Sequence, residues 1–122
     1  MSVEELLPLT PLSFEILLAL ADEPRHGYGI IKEIEARTGK PLKSSTGTLY
    51  LAIRRLEDAG LIAEAGDGRN GESRRRYYRL TELGEEVLAA EAERLATLLG
   101  VARQKDMLPS ESLLSAAGNR KG

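Results

Sequence analysis

The sequence predicts a mainly α fold with a small β-hairpin, an α+β chain of three helices, a hairpin and one long C-terminal helix. Three observations carry that reading. Apolar residues recur at helical spacing in three early segments, each bounded by residues that start or stop helices. A glycine-rich stretch, Gly66-Asp67-Gly68-Arg69-Asn70-Gly71, separates two short segments of strand character. A fourth helical pattern opens at Thr81 and persists to about Met107, where Pro109 stops it.

Residues 1–9 read as an N-terminal arm, either loose or holding a short helical turn. Thr10 can cap the first helix, and Pro11 fits its first position because its φ is already set. Leu12, Phe14, Ile16, Leu17, Leu18 and Leu20 follow, apolar nearly all round, so this helix is expected to be deeply buried until Asp22-Glu23-Pro24 ends it. His26 opens and caps the second helix, which carries Ile30, Ile31 and Ile34 on one face and ends near Thr38-Gly39. Ser44-Ser45-Thr46 supplies the next cap, and the third helix runs to about Ala59, with Gly60 after it. Leu61 to Ala65 and Arg74 to Leu80 form the two strands, with Tyr78 and Leu80 turned to the core and Tyr77 to the other side. Thr81 caps the fourth helix, and Gly84 stands where a full capping box has glutamate. The expected divisions are an arm at 1–9, a domain at 10–80, a helix at 81–108 and a flexible tail at 109–122.

Composition narrows the chemistry. The chain has 122 residues, no cysteine, no tryptophan and one phenylalanine, so its core is aliphatic and it carries neither disulfides nor thiolate ligands. His26 is the only histidine, which leaves no metal-ligand set, no cofactor motif and no nucleophile–base pair; catalysis is not expected. No apolar run approaches the length of a bilayer span, nothing resembles a signal peptide, and the lack of cysteine suits a reducing compartment, so the expected location is the cytoplasm. Net charge is −2, but it is unevenly spread: −5 over residues 1–36, +5 over 37–79 and −2 over 80–122. A basic middle between acidic flanks suggests a polyanionic partner.

The element order is that of a winged helix-turn-helix domain followed by a long helix, with the third helix as the candidate for a DNA major groove. Leu49, Ala52, Ile53 and Leu56 form its inward stripe; Gly47, Tyr50, Leu51 and Arg54 face outward, with Arg55 at the margin. The candidate DNA-binding residues are Lys43 and Ser44 at the helix start, Thr46, Thr48, Tyr50, Leu51, Arg54 and Arg55 along it, and Arg69, Arg74 and Arg75 on the hairpin. Lys43 and Ser44 suit phosphate, because backbone N–H groups at a helix start favour anions. For several of these a plainer reading stays open. Arg54 and Arg55 can pair with Glu57 and Asp58, Tyr50 can pack on the second helix, Thr46 can be a cap, and the hairpin arginines can serve solubility alone.

Leu88, Ala92, Leu95, Leu99 and Ala102 repeat at alternating spacings of four and three, an apolar seam suited to a second copy of the chain. A two-fold dimer would set two third helices about one turn of DNA apart, roughly 34 Å. A winged helix used only as a protein–protein adaptor is the alternative, favoured by the acidic first 36 residues. A ligand sensor with a cavity at the dimer interface is compatible with either.

His26-Gly27-Tyr28-Gly29-Ile30, Gly47-Thr48-Leu49-Tyr50, Arg54-Arg55-Leu56-Glu57 leading to Gly60-Leu61-Ile62, and Arg76-Tyr77-Tyr78 before Leu80-Thr81 and Gly84 together resemble the PadR family of transcriptional regulators. The resemblance covers about residues 10–100. It implies a winged-helix DNA-binding domain, a homodimer built through the C-terminal helix, repression of transcription, and release of DNA by a small-molecule effector in many members. The single C-terminal helix is similar to the short branch of that family. Two departures stand out. Leu51 occupies a position where members commonly carry proline, offering an apolar tip for a thymine methyl. The lack of tryptophan leaves no counterpart to the tryptophan sandwich with which some short members hold flat drugs.

Overall fold

Thr10 starts the first helix as its position predicts: its hydroxyl accepts the Ser13 N–H at 3.1 Å, and Pro11 takes the first helical place. The computed structural model describes residues 2–42, 45–66 and 76–109. Over these, helix α1 spans Pro11–Ala19, strand β1 Arg25–His26, helix α2 Gly27–Thr38 and helix α3 Thr46–Asp58. Strands β2 (Ile62–Glu64) and β3 (Tyr77–Leu80) follow, then helix α4 (Glu82–Gln104). Ahead of α1, a 3-10 turn at Glu4–Leu6 realises the short helical turn allowed for the arm, and Val3, Leu6, Leu7 and Leu9 pack on the core.

The core is aliphatic. Ile16 and Leu17 of α1, Ile30 and Ile34 of α2, Leu49, Ile53 and Leu56 of α3, and Leu61, Ile62, Tyr78, Val87 and Leu88 beyond are all buried. Burying each of the large aliphatic side chains stabilises the fold by about 1.5–3 kcal/mol relative to exposure. Arg37 reaches from α2 to Glu15 on α1, and pairs with Glu33 at 3.6 Å, so the two helices are also tied at the surface.

Strand β1 was not foreseen. It pairs antiparallel with β3, Arg25 opposite Tyr78 and His26 opposite Tyr77, and makes a sheet of order β1-β3-β2. Two residues are too few to show alternation, so the strand exists only because β3 offers it a ladder. On the other edge, Ile62 faces Leu80 and Glu64 faces Tyr78. The hairpin tip, residues 67–75, lies outside the described residues, and with it Arg69, Arg74 and Arg75.

Thr81 joins the sheet to α4. Its N–H donates to the Leu61 carbonyl at 3.0 Å, its hydroxyl donates to the Gly60 carbonyl at 2.6 Å, and the same oxygen accepts the Gly84 N–H at 3.0 Å. Gly84 is required here by close approach: a β-carbon on it would fall on the Leu61 carbonyl. That contact explains why the capping box lacks its glutamate.

The chain divides into two units, Met1–Glu91 and Ala92–Gly122. Glu91, at the end of the first, is only 2% exposed, and its Oε2 accepts the Leu9 N–H at 3.1 Å, fixing the end of the arm against α4. Two expectations for α4 need correction. The helix ends at Gln104 rather than near Met107, since Asp106 turns to a φ of 60°. Leu88, assigned to the seam, is 8% exposed and packs into its own chain's core. A heptad pattern cannot separate a partner-facing leucine from one that the helix's own domain covers.

Candidate nucleic-acid interface

Helix α3 is positioned from both ends. Before it, Gly39 takes the left-handed conformation that ends α2 (φ 74°), and Glu35 of α2 reaches across the turn to accept the Leu42 N–H at 3.0 Å. Ser45 caps α3, its hydroxyl accepting the Thr48 N–H at 3.1 Å, so Thr46 is the first helical residue and not the cap. Lys43 and Ser44, assigned to phosphate contact, lie outside the described residues. After α3, Gly60 at φ 83° turns the chain into β2. The buried stripe is Leu49, Ile53 and Leu56, with Ala52 packed against the core.

Thr46, Gly47, Thr48, Tyr50, Leu51, Arg54 and Arg55 are all exposed, and no carboxylate precedes Glu57 in the helix. Neither Arg54 nor Arg55 forms an ion pair among the described residues, although Glu57 and Asp58 are at helical pairing distance in sequence. The arginines elsewhere behave differently. Arg25 is held by Asp22 and Glu23 at 3.3 Å, by Glu33 at 3.5 Å and by the Ala19 carbonyl at 2.7 Å. Arg76 pairs with Glu64 at 3.3 Å across the hairpin. Paired guanidiniums lock the scaffold, whereas among the described residues no carboxylate pairs with those of α3.

Tyr50 packs on the second helix, one of the two readings left open for it. Its ring lies over Gly27, where a β-carbon would meet the ring tip and push it aside. Beside this contact runs a cleft of about 440 Å³, lined by His26, Tyr28, Tyr50, Arg54, Glu57 and Arg76 among others. His26 caps α2 as expected, its Nδ1 accepting the Gly29 N–H at 3.0 Å; its ring meets Tyr77 edge-on at 5.1 Å and stacks near Tyr28. Tyr78 closes the inner wall. Burial pushes its phenol above the ordinary value, Glu57 adds to the rise, and the Arg76 guanidinium opposes it.

Tyr28 is the residue that pattern reading passed over. It is 52% exposed, at the mouth of the cleft beside α3, with the Lys32 ammonium 5.2 Å from its ring centre. An aromatic flanked by Gly27 and Gly29 in a helix start was the available signal, because a buried tyrosine would have continued the apolar stripe of Ile30 and Ile34. On α4, Ala92 and Leu99 are exposed, while Leu95 and Ala102 are half-buried. Leu98 and Val101, outside the expected seam, are exposed as well. Among the described residues no helix is long and apolar enough to cross a membrane.

The comparisons with known proteins agree with this geometry. The chain is 36% identical over 86 residues to the transcriptional regulator HosA of Escherichia coli, a match covering 70% of this chain and 57% of HosA, so it spans little more than half that relative's length. A PadR family transcription regulator of Clostridium difficile R20291 superimposes with a TM-score of 0.66 at 28% identity, covering 78% of this chain and 97% of that one. Bacillus subtilis PadR, solved in complex with operator DNA, shares the fold at a TM-score of 0.58 and 23% identity, over 68% of this chain and 46% of that one. The model of the PadR-like transcriptional regulator family matches residues 16–90, from the second half of α1 through α2, α3 and the sheet into α4, and the chain belongs to that family.

Proposed function

We propose that this protein is a homodimeric, sequence-specific DNA-binding repressor that inserts α3 into the major groove of a two-fold operator. The observation that carries this is the outward face of α3: two arginines with no ion pair among the described residues, hydroxyls and an apolar tip, with no acid before Glu57. Such a face satisfies no partner within the described chain, and a major groove offers acceptors to its guanidiniums. HosA is a named transcriptional regulator, and the fold of Bacillus subtilis PadR is known on operator DNA. Lys43 and Ser44 belong to the same proposal as phosphate contacts, and Arg69, Arg74 and Arg75 as contacts to phosphates or the adjacent minor groove, with Tyr28 and Tyr50 at the edge of the face. The cleft beside Arg54 lies in the size range of small-molecule sites, so an effector seated there meets the same guanidinium that DNA requires.

Selection of bound sequences from a random duplex library tests the reading. Two half-sites related by symmetry, about one helical turn apart, are the expected result. A protein that flows through random duplex at low salt is an adaptor and not a regulator of this kind. Binding is also expected to weaken with salt, log K falling by about 0.9 per phosphate neutralised against log salt. A flat response over 50–200 mM salt (roughly the range in which such contacts are lost) removes the phosphate contacts from the proposal.

The dimer rests on α4. Leu98, Leu99 and Val101 expose apolar surface within a single turn near its end. Leu99→Glu is expected to shift the protein from dimer to monomer in sedimentation equilibrium at micromolar concentration. It should also weaken operator binding by at least about tenfold, because one half-site contact is then made without the other. An unchanged sedimentation profile places the interface elsewhere.

A further inference from the structure

At the middle of the outward face of α3 sits an aliphatic residue. Leu51 is 48% exposed and is not among the side chains packed on the core. It lies opposite the buried stripe of Leu49, Ile53 and Leu56, one turn after Gly47 and one turn before Arg55. A β-carbon at Gly47 would meet nothing nearer than the Ser45 hydroxyl at 3.9 Å, so the backbone there is bare and can come close to a surface. Around this apolar tip stand Thr48, Arg54 and Arg55, all exposed.

An apolar tip ringed by hydroxyls and exposed guanidiniums fits a surface that is mostly acceptor and anion but has one methyl at its centre. The major groove has that composition: the C5 methyl of thymine is the apolar group on its base edges, and guanine beside it offers O6 and N7 to an arginine. We infer that Leu51 reads the C5 methyl of a pyrimidine in each half-site, thymine or equally 5-methylcytosine, and so makes binding depend on that methyl. The inference rests on the DNA-binding reading above and adds what α3 recognises. The bare backbone at Gly47 lets the helix sink far enough for Leu51 to reach the base edge, while Arg54 and Arg55 hold its flanks to bases or phosphates.

The test uses the duplex selected with the wild-type protein and changes one methyl at a time. Each thymine is replaced singly by deoxyuridine, which removes only the methyl. At one thymine in each half-site the wild type is expected to lose affinity about three- to tenfold, the effect of uncovering one methyl-sized apolar contact. Leu51→Ala, weaker throughout, is expected to be indifferent to that same change, and Leu51→Met to recover the dependence. In the second arm that T·A pair becomes C·G, with cytosine either plain or C5-methylated; the methyl is expected to raise wild-type affinity and leave Leu51→Ala unmoved. Equal wild-type affinity for all the uracil-substituted duplexes overturns the inference, as does a Leu51→Ala protein that keeps the full penalty. Either result leaves the regulator reading standing, whereas failure of the wild type to retain any duplex defeats both.

Discussion

Arg54→Glu is expected to lower affinity for the selected operator by about a hundredfold or more. Losing a bidentate base contact costs about 1–3 kcal/mol, and reversing the charge adds repulsion from the phosphates. The fold should not register the change. Arg54 is exposed and forms no ion pair among the described residues, so its replacement should move stability by less than about 0.5 kcal/mol. Fluorescence anisotropy at one fixed salt concentration and a thermal melt separate the two quantities. Arg37→Glu is the informative contrast: it breaks the ties to Glu15 and Glu33 that join α1 to α2, and should lower the melting midpoint. Wild-type operator affinity in Arg54→Glu would remove the third helix from the interface.

Gly84→Ala is expected to cost about 3 kcal/mol or more of folding stability, the largest single effect foreseen for so small a substitution. The new methyl would coincide with the Leu61 carbonyl. That carbonyl is itself engaged, accepting the Thr81 N–H at 3.0 Å at the point where β2 meets α4. Relief therefore requires backbone movement, which strains the pairing of Ile62 with Leu80 and draws Thr81 from its two hydroxyl bonds. Overpacking a filled site usually costs about 1–3 kcal/mol, and the loss of hydrogen bonds adds about 1 kcal/mol each. Chemical denaturation monitored by circular dichroism measures it. A change under about 1 kcal/mol would mean that the strand–helix junction yields where its bonds say it is fixed.

Much of this molecule is legible in the chain because its boundary signals are local. Thr10, His26, Ser45 and Thr81 each cap a helix through a bond to an N–H three residues on, and Gly39 and Gly60 adopt the positive φ that their positions foretold. The stripe of Leu49, Ile53 and Leu56 likewise told which side of α3 stays outside. Strand β1 was not legible, since two residues carry no periodicity. Nor was the partition of arginines. Arg25 and Arg37 look no different in sequence from Arg54 and Arg55, yet the first two are each bound by a carboxylate from another element and, among the described residues, the last two are not.

By itself the sequence determined where each helix begins, which stripe of the third helix faces the core, and that a basic segment lies between acidic ones. Those are properties of a few neighbouring residues and their spacing, set by backbone sterics and apolar periodicity. Only the tertiary structure decided that Leu88 belongs to its own chain's core, that Tyr50 lies on Gly27, and that Gly84 must lack a side chain. Each of these depends on the distance between segments far apart in the chain, a quantity that local spacing does not contain.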